Sequence, residues 1–210
     1  MSEALSVDGQ QFNFASHYNT LGHLTTHVYP SPSGRVVNYA PNGYGEATQS
    51  GGYANNVSYA PSGQLESFDY ANGLSFNQTL DSQRRPELCT ISDVQALFSH
   101  SYQYDDNHNI TSIIDGVISE NSMTMSYDGL DRLDTASGFW GSGSFDYDVL
   151  GNITQKTLGN ETLTYHYSNN RLTSVSGILN RSFNYDTRGN VINNRARSFT
   201  FNRAGRLHRQ

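Results

Sequence analysis

The eleven residues Ser144-Phe145-Asp146-Tyr147-Asp148-Val149-Leu150-Gly151-Asn152-Ile153-Thr154 spell out one β-hairpin. Phe145 and Tyr147 alternate with Ser144 and Asp146, Asp148 and Gly151 frame a turn, and Asn152-Ile153-Thr154 opens a second strand. An Asp at the first turn position accepts backbone hydrogen bonds. Gly three residues later takes a left-handed conformation that a residue with a Cβ reaches only at a cost of about 1–2 kcal/mol. A type I turn closed by such a glycine is a common hairpin connection, and the aromatic before it packs near the Ile or Leu after it.

This hairpin is one copy of a unit that repeats from end to end of the chain, which constrains the fold more than any other feature. The last aromatic before each turn falls at Tyr18, Tyr39, Tyr59, Tyr104, Tyr127, Tyr147, Tyr167, Tyr185 and Phe201, with Leu80 in a degenerate unit. Successive anchors lie 18 to 24 residues apart, tightening to 16 at the end, so about ten units tile residues 1–210 as a single array. Gly22, Gly43 and Gly63 follow their tyrosines by four residues, two of these units carrying Ala-Pro where Asp or Asn stands elsewhere. Proline presets φ for an early turn position. Residues 43–52 are glycine-rich and expected to be the most flexible part of this half, and Ser33-Gly34 marks a further tight turn.

The degenerate unit, residues 76–100, keeps Asp81 but lacks the aromatic and the glycine, and is the expected place for a distortion. Residues 92–98 fit a short helix capped by Ser92. The alternation of Val94, Ala96, Phe98, His100, Tyr102 and Tyr104 fits a long strand, which is the expectation here. From 102 to 207 the unit is most regular: Asp105, Asp128, Asp148 and Asp186 follow their tyrosines, and Gly151, Gly189 and Gly205 close their turns. His108 and Asp131 stand where glycine belongs, predicting slight strain or rearrangement, and Asn170 is the expected left-handed residue of a turn one residue shorter.

The composition agrees with an all-β fold. Only 35% of the chain is hydrophobic, while fourteen Tyr and ten Phe supply rings whose polar tips can reach water. With a net charge of -6, twelve Arg and only Lys156, no basic patch suits a nucleic acid. Cys89 is alone, which excludes an intrachain disulfide. Met1–Gln11, with Glu3 and Asp8, has neither the basic start nor the apolar run of a signal peptide, and no segment has the length and apolarity of a membrane span.

Candidate chemistry is sparse. His17, His23 and His27 invite a metal, but in an extended chain His23 and His27 lie roughly 13 Å apart, so polar-face histidines are expected and no metal or cofactor is. The aspartates occupy one repeated turn position, where hydrogen bonding suffices, and Cys89 lacks a nucleophile signature, so no catalytic residue is assigned. Gly141-Ser142-Gly143 reads as a loop between repeats with no helix to make it a phosphate cradle. Trp140 beside it is the one binding candidate, placed either to contact a sugar or partner or to cover a sheet face. Two of the six Asn-x-Ser/Thr sequons, at Asn109 and Asn152, are by-products of the repeat.

Tyr-Asp-x-x-Gly-(Arg/Asn)-(Leu/Ile)-Thr, repeated about every twenty residues, resembles the YD repeat of RHS-repeat proteins, which include bacterial RHS polymorphic toxins, Tc-toxin shell subunits and teneurins. The resemblance covers nearly the whole chain, most tightly from Tyr102 to Leu207. It implies hairpins in a spiralling antiparallel β-sheet, part of a hollow shell that is open or incomplete at this length. It further implies a non-catalytic segment of a larger secreted or cell-surface protein, cytoplasmic before export, that encapsulates or presents a toxin or effector. The expected partners are further shell segments or a second copy at exposed sheet edges, and an enclosed effector domain. Surface glycans are the alternative, in a carbohydrate-binding module. The family's self-cleaving segment, typically Asp-Pro-x-Gly-Leu, is absent from this sequence, so the resemblance carries the shell repeat and not the protease.

Overall fold

A computed structural model describes residues 1–30 and 34–208, and the tight turn expected at Ser33 lies partly outside them. The chain divides into two compact units, Met1–Gln103 with Ile114–Ser119, and Tyr104–Ile113 with Glu120–Gln210. Both are antiparallel β-structure, and the sheets are not closed.

In the first unit β1 (Ser2–Val7), β2 (Gln10–Tyr18), β3 (Leu24–Val28) and β4 (Val36–Asn38) form a four-stranded sheet in chain order. A second run follows, β5 (Ala54–Tyr59), β6 (Leu65–Tyr70), β7 (Ser75–Leu80), β8 (Pro86–Ser92) and β9 (Ala96–Tyr104), each strand pairing with the next. The alternation after Ala96 therefore forms strand, while Asp93-Val94-Gln95 makes the turn into it. Residues 43–52 form no strand, yet they are tied down: the amides of Thr48 and Gln49 donate to Tyr39 O, and that of Gly51 donates to Asn38 O.

The second unit runs through β10 (Ile110–Asp115), β11 (Met123–Tyr127), β12 (Leu133–Gly138), β13 (Gly141–Tyr147), β14 (Ile153–Leu158), β15 (Glu161–Ser168), β16 (Arg171–Gly177) and β17 (Arg181–Ser182). Two short pairs end it, β18 (Asn184–Tyr185) with β19 (Val191–Asn193), and β20 (Thr200–Phe201) with β21 (Leu207–His208).

The pleat sorts side chains onto two unlike faces. Across β6 to β9 the register aligns Phe68, Phe76, Ile91 and Phe98 on one face and Ser67, Asn77, Thr90 and Ser99 on the other. Across β11 to β15 it aligns Ser126, Thr135, Ser144, Thr157 and Thr162, with hydroxyl-to-hydroxyl bonds of 2.6 Å between Ser126 and Thr135 and 3.2 Å between Thr157 and Thr162. Little of this is covered. Among the described residues the buried apolar side chains are Val37, Ala60 and Val175. The accessible surface is 14269 Å², whereas a folded monomer of this mass is expected to expose about 9,700 Å². Rings that would fill a core in a two-layer protein lie half-open on the sheet.

The repeated turn as candidate functional site

Asp148 shows how the unit is built. Its backbone N–H donates to Asn152 O at 2.9 Å, and Gly151 N–H donates to Asp148 O at 3.1 Å. Oδ1 of Asp148 accepts the amides of Leu150 and Asn152, both at 2.9 Å, and Oδ2 accepts the Asn152 side-chain amide at 2.8 Å. Gly151 sits at φ +85°, and the strand register slips by one residue between Asp146 and Tyr147, the signature of a bulge closed by a left-handed residue. The Asn152 side chain, joined by backbone amides, holds the Asp148 carboxyl below the usual carboxylate range. Asp186 is lowered in the same way by Asn190, and Asp128 by the Arg132 guanidinium.

The same frame recurs at Asn19, Asp81, Asp105, Asp128, Asp186 and Asn202, each taking two backbone amides on Oδ1. The left-handed position is held by Gly22, Arg84, His108, Asp131, Gly189 and Gly205. The turn of the degenerate unit is thus intact, while its register shifts further on, between Ile91 and Ser92. Arg84 adopts φ +63°, and Arg85 supplies both a backbone and a guanidinium bond to Asp81. His108 and Asp131 likewise take φ +70° and +59° within intact turns. The shorter turn after Tyr167 uses Asn169 as well as Asn170 at positive φ.

One turn lies elsewhere than its sequence position implied. Gly43 is not left-handed. The turn starts two residues later, with Asn42 Oδ1 accepting the amides of Tyr44 and Glu46 and with Gly45 at φ +89°. Ala40-Pro41 instead precedes the turn. Gly63 does close its turn, at φ +83°, donating to Ala60 O. A further turn passed unnoticed: Tyr70 N–H donates to Leu74 O and Gly73 N–H to Tyr70 O, with the Asn72-Gly73 dipeptide as its available signal.

The anchoring tyrosines link successive units. The hydroxyls of Tyr127, Tyr147, Tyr167 and Tyr185 donate to the carbonyls of Ile110, Leu133, Ile153 and Leu172, at 2.8 to 3.0 Å. Each acceptor is the apolar residue that follows the preceding turn. Tyr59 does the same in the first unit, to Ala47 O at 2.8 Å. Burial raises the phenol pKa of Tyr59, Tyr127 and Tyr167, so the donating proton is retained. In three turns the residue four after the Asp adds a sideways link: Asn109 to Asp131, Arg132 to Asp148 O, and Asn152 to Asn170.

A protein-family model described as the teneurin YD-shell matches residues 14–210. The chain belongs to the teneurin YD-shell family. Solved structures agree on the fold. The Photorhabdus luminescens Tc holotoxin pore is 17% identical with a TM-score of 0.69, the match covering 90% of this chain and 13% of that one. A TcdB2-TccC3-TEV structure is 15% identical with a TM-score of 0.68, covering 98% of this chain and 14% of that one. This YD-shell chain therefore spans about one seventh of the length of those relatives. No curated protein matches it.

The remaining candidates of this YD-shell segment are dispersed. Among the described residues no group of three His, Cys, Asp or Glu side chains is placed to hold a metal. His27 meets Ser16 and the rings of Phe14 and Tyr29, while the His23 ring lies under Gly45, where a Cβ would come within 3.0 Å. Cys89 is half-buried beside Gln78, and burial pushes its thiol pKa up. Gly141-Ser142-Gly143 is not a loop but the start of β13. A Cβ on Gly143 would lie 2.9 Å from the Leu158 side chain and 3.4 Å from the Trp140 ring, so the absence of a side chain there makes room for both. Trp140, 40% exposed, lies over Gly138 and Gly143 and lines a shallow groove with Phe145, Leu158 and Glu161.

Proposed function

We propose that the chain is a non-catalytic structural segment of a larger YD-repeat shell, in a secreted or cell-surface protein that encloses or presents a toxin or effector. The observation that carries this is the pairing of a complete, repeated linking system with an almost absent core. Among the described residues, the repeated turns and five tyrosine bonds join neighbouring strands, while three apolar side chains are buried. A wall segment is constructed in this way, with rigidity along the sheet and faces left for other parts of the assembly. Two solved structures of this fold are of Tc toxins, with chains about seven times longer, which supports a partial wall. Trp140 is packed over glycines at least as much as it is presented, which favours sheet cover over sugar stacking.

The test is protease protection in the full polypeptide. The segment downstream of the repeats is expected to resist trypsin while the repeats are intact and to be digested once they are unfolded by urea. Equal digestion in both conditions would sink the enclosing role.

A further inference from the structure

At two places in the second unit a guanidinium bridges adjacent turns. Arg132, the fifth residue of its turn, pairs with Asp128 at 2.7 Å, lies 4.6 Å from the centroid of the Tyr147 ring, and donates to Asp148 O at 3.1 Å. Arg188 donates to Asn202 O and Arg203 O at 3.1 and 2.8 Å. The floor of the Arg132 seat is a tyrosine face and the first carbonyl of the next turn, whereas Arg188, the third residue of its turn, reaches the next turn through carbonyls alone.

The turns at 42–46 and 60–64 of the first unit have the same frame without that occupant. Asn42 N–H donates to Glu46 O as Asp128 N–H does to Arg132 O, and Tyr59 O–H donates to Ala47 O as Tyr147 O–H does to Leu133 O. Glu46 thus stands where Arg132 stands, Tyr59 stands for Tyr147, and Ala60 O stands for Asp148 O. In place of a guanidinium there is a carboxylate, bonded through Oε2 to the Asn42 amide at 2.8 Å, with Oε1 directed toward Gly63 of the neighbouring turn. A groove of about 640 Å³ opens there, lined by Asn42, Tyr44, Glu46, Tyr59, Pro61 and Ser62. At its rim Tyr44 is 90% exposed.

We propose that this groove is a receptor for an arginine side chain from a partner protein. The incoming guanidinium takes the seat that Arg132 fills in its own unit, stacking on Tyr59, donating to Ala60 O and pairing with Glu46. A planar, bidentate cation suits a carboxylate beside an aromatic face better than an ammonium does. The net charge of -6 favours its approach. The site is independent of the shell reading, since its template lies within the chain.

Saturation-transfer NMR with Nα-acetyl-arginine amide on the full chain tests it, because that readout tolerates large assemblies. The arginine probe is expected to receive saturation and the matching lysine probe far less. Glu46→Gln should weaken binding about tenfold, the loss of one charge-assisted pair. Glu46→Arg should abolish it while keeping the circular dichroism spectrum, because the chain then fills its own seat. No saturation, equal saturation by the lysine probe, or undiminished binding in either variant would overturn the proposal.

Discussion

Tyrosine rather than phenylalanine anchors most repeats because the hydroxyl is used. In Tyr147 it donates 2.9 Å to Leu133 O, the carbonyl that opens the preceding strand, β12. Tyr147→Phe keeps the ring and removes that bond, so denaturant unfolding should show a loss of about 0.5–1.5 kcal/mol. The same change at Tyr18, a residue 51% exposed, should cost measurably less, and equal losses would contradict the linking role. The ring itself was legible in the sequence, through alternation and spacing. The acceptor was not, since it lies 14 residues away and depends on a register set by the bulge. Likewise Arg84 at φ +63° breaks a residue preference that the surrounding hydrogen bonds override.

At the scale of the turn, carboxylates take the strain of acid. Asp128, Asp148 and Asp186 are held below the ordinary carboxyl pKa by Arg132, Asn152 and Asn190 respectively, with backbone amides adding to each. A pKa lower in the folded state means that folding is favoured with the carboxylates ionised. Their contribution is full above the unfolded value of about 3.9 and is lost as pH falls through the lowered folded values. Thermal midpoints should therefore be flat in these groups at neutral pH and fall below about pH 4. Asp148→Asn should blunt that fall, and an unchanged acid limb would contradict the turn's role. Glycine and aspartate spacing announced these turns except at Asn72-Gly73, which follows no such spacing, and where two glycines competed. In Asn42-Gly43-Tyr44-Gly45 spacing from Tyr39 pointed to Gly43, but Asn42 caps the turn closed by Gly45. Local side-chain capping decided the position, and counting from the aromatic could not see it.

For the whole molecule, the sheet class and the repeat were readable because the side-chain pattern has the period of a strand and the turn has the period of the unit. The 35% hydrophobic content and many rings pointed to a core built from aromatics, whereas among the described residues no ring is fully buried, and the sorting of Ser and Thr onto one face emerges only with the register. Exposed Leu5 and Val7 on β1, Phe139 at the β12–β13 turn, and Ile178 beyond β16 leave apolar surface available for association. The proposed wall role requires these surfaces to pack against other parts of an assembly. Size-exclusion chromatography with light scattering on the isolated chain tests it directly. Self-association well above the 23.3 kDa of one chain is expected, and a well-behaved monomer of that mass would rule out the wall role.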